Sequence, residues 1–256
     1  MRIFFVFILT IITASPGFAQ DIGTDKKDSP FYPGEKLTYA LKWSFINAGE
    51  STLEVLPTET VNGIEAYHFV MTAETNSFVD VFYKVRDRID AYSDVDMTRS
   101  ILYKQKQKEG KTNRDIVVQF DWDKKQVLYS NFGKKREPVT LLSGAFDPLS
   151  AFYFTRFTDM KEKMVIEQPV TDGKKCVKGR VTVKKRESIK VGGKTFDTWL
   201  LEPQLKHVGG VFEKSRDAKI QIWVSADERR IPIRIKSKVI VGSFVGELVR
   251  IEKKES

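Results

Sequence analysis

Asp227-Glu228-Arg229-Arg230 sets two acids directly beside two bases, inside the stretch IQIWVSADERRIPIRI. A carboxylate pair doing acid and base work must converge on one point, in surroundings that push the two pKa values apart. Neighbours on an extended strand point to opposite faces, and a turn tip faces water, so neither placement offers that. The flanks decide the reading. Ile220, Ile222 and Val224 share one face of the incoming arm. Ile231, Ile233 and Ile235 do the same on the outgoing arm, opposite Arg234, Lys236 and Lys238. The pattern predicts a hairpin with a wet, charged turn at Ala226–Arg230, with Pro232 near the start of its second strand.

Other reactive residues are sparse. The histidines, His68 and His207, stand far apart, and with one cysteine they give no metal-ligand spacing. No nucleophile elbow, phosphate loop or zinc-protease motif is present, and Ser243 has no visible base. The predicted catalytic, metal and cofactor sets are therefore empty. Asp87, Asp90, Asp94 and Asp96 lack the glycine and closing glutamate of a calcium loop, and read as a solvated strand edge. Basic neighbours around Cys176 would favour a thiolate, but a small side chain at a strand start is the simpler reading. Asp147, Tyr153 and Arg156 are the one polar set worth testing as a hydrolase centre. Asp147 before Pro148 already serves as a helix N-cap, and Arg156 suits the dipole at the helix end.

The elements around these residues are mostly strands. Leu37, Tyr39, Leu41, Trp43 and Phe45 alternate with polar residues, and Asn47-Ala48-Gly49 turns that strand. Alternation returns at 50–56, 66–75, 85–94, 99–108, 116–122 and 126–130. Phe146 to Phe157 breaks it with one short helix, and Ser77 to Tyr83 allows a second. From Val177 onward Val and Ile alternate with Lys and Arg, and Gly242 and Gly246 suggest a bend in the last strand. Short turns throughout argue for antiparallel pairing. The predicted fold is mainly β: a large curved antiparallel sheet or half-open barrel with one or two short helices.

Residues 1–19 read as a cleavable secretory signal: Arg2, an apolar run from Ile3 to Ile12, then Gly17-Phe18-Ala19. Residues 20–33 read as an extended leader, and 34–256 as one antiparallel β domain. Export predicts a periplasmic protein with no transmembrane helix after the signal, and one cysteine excludes an internal disulfide. The net charge of +9 makes anionic lipid or acidic protein a better partner than nucleic acid for an exported chain.

Three stretches, GEKLTYALKWSFINAGESTLEV, FDPLSAFYFTR and the late hairpin followed by VGSFVGEL, occur in the order of a known family. On Gly34-Glu35, Tyr39, Trp43, Gly49, Asp147, Leu149, Tyr153, Arg156, Trp223, Asp227, Pro232 and Gly242 the chain resembles the exported bacterial family of domain of unknown function 3108. The resemblance implies a β fold and an exported location, and transfers no catalytic residue. The late hairpin is also similar to one in periplasmic lipoprotein carriers, at the level of fold.

The expected function is non-enzymatic binding of a lipid or other amphipathic envelope ligand in the concave face of the sheet. Tyr39, Trp43, Phe152, Tyr153, Arg156 and Trp223 are the candidate ligand residues. Lys178, Arg180, Lys184, Arg186, Arg234, Lys236 and Lys238 form candidate basic rows, either a solvated outer face or a surface for anionic membrane headgroups. A structural or partner-binding envelope protein with a solid core is the alternative, and an envelope hydrolase the third.

Overall fold

Among the residues the structure describes, alternating apolar residues build fifteen strands. The computed structural model describes residues 29–204, 219–239 and 242–253. The signal segment, His207 and the Gly209-Gly210 turn lie outside the described residues.

Strands β1 (Glu35–Trp43), β2 (Ile46–Val61) and β3 (Ile64–Thr75) form a meander. A four-residue helix, α1 (Ser77–Asp80), leads into β4 (Arg86–Asp94), β5 (Ser100–Glu109), β6 (Thr112–Asp121) and β7 (Gln126–Asn131). Two stubs, β8 (Lys134–Lys135) and β9 (Val139–Thr140), both pair with β7. Helix α2 (Pro148–Phe154) follows and tightens into a 3-10 turn at Thr155–Phe157. The second half runs β10 (Val165–Thr171), β11 (Cys176–Val191), β12 (Lys194–Pro203), β13 (Lys219–Ser225), β14 (Pro232–Val239) and β15 (Gly242–Lys253).

All fifteen strands belong to one sheet, and every strand pair is antiparallel. The path begins at β10, runs in order to β15, passes to β1 and continues to β8. The last strand therefore zips onto the first, with Leu37 opposite Ile251 and Trp43 opposite Phe244. The path does not close into a barrel, because β10 and β8 remain its two ends.

Bulges bend the sheet. Register slips by a residue at Thr38/Tyr39, Leu41/Lys42, Val183/Lys185 and Trp223/Val224. Each slip leaves one residue unpaired and increases local twist. The curl lets α2 lie across the concave face, touching β3, β4 and β10. Tyr153 stacks on Phe69 with ring centroids 4.0 Å apart. Phe31 meets Tyr67, Phe69, Tyr153 and Phe157 edge-on, so the described part of the leader contributes a core side chain. Phe146 bridges β10 by pairing with Val170, through hydrogen bonds to Pro169 and Thr171.

The first hairpin turns at Ser44-Phe45, so Asn47-Ala48-Gly49 lies inside β2 rather than at the turn, and β10 is a strand the alternation did not announce. Two further expectations differ. Leu37 and Tyr39 are buried, but Trp43 and Phe45 are exposed, because the slip at Leu41/Lys42 breaks the alternation and the hairpin tip overhangs the sheet. The aspartates of β4 do not line an edge, since β4 lies between β3 and β5. Each finds a local partner instead. Asp87 accepts from the Lys108 amide, Asp90 from Arg88, and Asp94 from the Thr98 amide.

Candidate functional site

Two arrangements bring polar or apolar groups together: an ionic knot with a buried centre and an open apolar cavity. The knot joins the hairpin turn of the opening stretch to α2 and β1. Asp227 caps the turn, accepting from Ser225 Oγ at 2.6 Å and from the amides of Arg229 and Arg230. Arg230 takes a left-handed conformation, φ 46°, and its guanidinium donates to the carbonyls of Arg156 and Glu228 and to Asp159. Arg229 reaches Glu35 Oε2 at 2.5 Å. Arg156 donates to Glu35 Oε1 at 2.6 Å, to the Pro30 carbonyl at 2.8 Å and to the Arg229 carbonyl at 3.0 Å.

The turn reading of this stretch holds, and Asp227 and Glu228 are exposed at its tip as expected, but the basic half is not wholly wet. Arg230 is buried beneath the end of α2. Arg156 is buried as well, so its charge answers the Glu35 carboxylate rather than the helix dipole. Every nitrogen of the Arg156 guanidinium meets a fixed acceptor, while Arg229 Nε is buried without one. A buried pair this fully hydrogen-bonded positions three segments. It lacks the access that a catalytic carboxylate needs. Asp147 is likewise committed. It accepts from the amides of Leu149 and Ser150 at 2.9 Å and from Ser100 Oγ at 2.6 Å. Burial lifts its carboxyl, and these hydrogen bonds pull it back.

The cavity lies on the other side of α2. It measures about 440 Å³ and is walled by β10, β11, β12 and β13. Phe152 and Ala151 form its helix side, and Ile166, Val181, Leu201 and Ile222 its sheet side. Lys175, Lys178 and Arg180 line it as well, with one acid, Asp172. The helix creates this division. Tyr153 faces the filled side over β3, while Phe152, one residue earlier, turns toward β10 and β11. The size falls in the range of small-molecule sites, and a mostly apolar lining with a few polar groups is their usual make-up.

Of the six candidate ligand residues, Phe152 alone lines the cavity. Tyr39 is buried and donates its hydroxyl to the Pro232 carbonyl at 2.9 Å. Tyr153 and Arg156 are sealed in the core, their aromatic and ionic partners already supplied. Trp223 follows Ile222 in β13 and so faces away from the cavity; its Nε1 donates to Glu187 at 3.0 Å. Trp43 stacks on Phe244 at the hairpin tip. Alternation could not separate these positions, because a helix inside the curve claims half of the inward face.

The basic rows are strung with acids. Arg180 pairs with Glu167, Lys184 with Glu202 at 3.9 Å, Arg186 with Asp197 at 2.5 Å and Arg234 with Glu247 at 2.7 Å. Lys178, Lys236 and Lys238 are exposed. Cross-strand pairing turns most of this surface into a mixed ladder. Cys176 packs half-buried against the core, and burial pushes its thiol up, away from the thiolate its basic neighbours suggested. His68 sits between Glu59 and Asp90 at 2.8 and 2.9 Å. Among the described residues no cluster of three or more His, Cys, Asp or Glu could hold a metal ion. Among them, too, no helix is long and apolar enough to cross a membrane.

Residues 38–249 match the family described as Protein of unknown function (DUF3108). No curated protein matches the chain. Among solved structures, a beta-barrel-like protein of domain of unknown function DUF1849 from Brucella abortus aligns with a TM-score of 0.55 at 12% identity. That alignment covers 86% of this chain and 98% of the other. The hypothetical protein CT021 from Chlamydia trachomatis aligns at TM-score 0.38 and 8% identity, over 88% and 90% of the two chains. A Bacteroides fragilis protein of YmcC-like fold, named as exported, aligns at 0.30 and 8%, over 88% and 98%. The first of these supports a barrel-like fold and no activity; the other two fall below the level that carries an argument.

Proposed function

This chain belongs to the DUF3108 family, which supplies a fold and no reaction, and we propose that it is a non-enzymatic, exported binding protein for an amphipathic envelope ligand. The cavity beside α2 carries the reading. Its apolar walls suit a hydrocarbon chain, and Lys175, Lys178 and Arg180 in its lining suit an anionic headgroup. Glu35, Arg156 and Asp147, the buried charged groups around α2, are engaged in structural hydrogen bonds, which favours binding over catalysis. Export and a periplasmic location rest on the signal-like residues 1–19.

The test is titration of the purified chain with a fluorescent fatty acid. Saturable binding is expected, with at least a tenfold loss for Phe152→Asp or Ile222→Lys, since either charge would stand in the apolar wall. Lys178→Glu with Arg180→Glu should weaken a fatty acid more than its neutral alcohol. Absence of saturable binding, or equal binding by the wall variants, overturns the reading and leaves the structural, partner-binding alternative.

A further inference from the structure

The exposed apolar side chains of this protein are gathered at one end. Antiparallel pairing fixes which turns share an end of the sheet. Trp43 of β1 lies opposite both Ile46 of β2 and Phe244 of β15. Gly49 of β2 lies opposite Thr75 of β3, and Asn76, capping α1, donates to the Asn47 carbonyl at 2.6 Å. Val85 bridges Glu109, and Ile116 pairs with Asn131, which adds the β5–β6 and β7–β8 turns to the same end.

Twelve large apolar residues are exposed among the described residues, and nine sit at this end. They are Trp43, Phe45 and Ile46 on the first hairpin, Phe78, Val81, Phe82 and Tyr83 on and after α1, Phe132 and Phe244. The other three, Val165, Val249 and Ile251, lie on strands. Phe45 is fully exposed and Phe82 is 75% exposed. The turns of the opposite end, β2–β3, β4–β5, β6–β7, β11–β12 and β13–β14, expose none of the twelve, and Ile251, near the end of β15, is the one that approaches it. Short turns need no aromatic residues, so folding does not account for this crowding.

Charge follows the same asymmetry. Among the described residues, the turns at 108–114, 132–137 and 172–175 of this end hold eight Lys or Arg against three acids. Aromatic residues ringed by cations are the make-up of a surface that enters the headgroup layer of a membrane. Anionic lipid attracts each such cation by about 1 kcal/mol near the surface.

We propose that this end docks on an anionic phospholipid bilayer, with Phe45 and the Phe78–Tyr83 segment inserted among the headgroups. The inference goes beyond the ligand reading and stands without it, because none of the nine residues lines the cavity. The lysine-bearing β10–β11 turn belongs to this end and also lines the cavity, so docking would bring the cavity edge toward the lipid.

Flotation of the purified chain with vesicles tests it, comparing phosphatidylcholine alone with phosphatidylcholine containing phosphatidylglycerol. Binding to the mixed vesicles is expected, weakening as salt rises. Phe45→Ser with Phe82→Ser should lose at least tenfold in partition while keeping its thermal unfolding and fatty-acid binding. Phe152→Asp should dock like the wild type. No binding to the mixed vesicles, or equal binding by the Phe45/Phe82 variant, overturns the proposal. So does a lipid-free dimer abolished by those substitutions, which would make this end an interface between two copies.

Discussion

The Glu35 carboxylate and the Arg156 guanidinium meet at 2.6 Å although 121 residues separate them, and solvent reaches neither. Arg156→Ala should therefore cost about 3–5 kcal/mol, the usual penalty for stranding one member of a buried pair. Glu35→Leu combined with Arg156→Met should recover more than half of that loss, because it removes both charges. Urea unfolding of the single and double variants would show it; a double variant as unstable as the single would mean the pair is not the source of the cost.

Gly49 sits at φ 155°, and a Cβ there would lie 1.9 Å from the Glu74 backbone oxygen. Backbone cannot swing aside as a side chain does. Gly49→Ala should destabilise by about 3 kcal/mol, read as a fall in the urea midpoint, while Gly63→Ala, with open space around it but a left-handed φ of 80°, should cost only about 1–2 kcal/mol.

Asp147 caps α2 and ties it to β5 through Ser100. Replacing it with Ala removes a cap and leaves buried donors bare. A loss of about 2–3 kcal/mol is expected by thermal melt. Ser100→Ala should lose less, because the helix amides keep their acceptor.

Asp87 is lifted to about 7, first by burial and then by its hydrogen bond with Glu109. A carboxyl raised on folding favours the folded state while it is protonated, so its contribution is complete below about pH 4 and fades as pH rises through 7. At pH 8 Asp87→Asn should therefore stabilise by about 1 kcal/mol, a value kept small because the group is partly wet. The gain should vanish near pH 4, and a gain independent of pH would exclude the carboxyl as its source.

Much of the fold could be read from the chain because period-two alternation is a local signal. The Ile220–Ile235 hairpin and the helix opened by Asp147-Pro148 both follow from neighbours within a few positions. The pairing of β15 with β1 could not be read that way, and neither could the Glu35–Arg156 contact, because periodicity carries no information about partners distant in the chain. Tyr153 and Phe152 are equally aromatic and adjacent, yet one fills the core and the other lines the cavity. That difference depends on where α2 settles inside the curl. The cations of β11 were visible, but the acids opposite them, Glu202 and Asp197, belong to another strand.

In a closed barrel, strand number and shear set the girth in fixed steps. The sheet here ends at β10 and β8 without joining, and α2 packs inside the curve against β10, β3 and β4. Its interior width is free of that arithmetic. A longer or bulkier residue on the cavity side of α2 could resize the chamber continuously, with no strand added and no ladder re-registered.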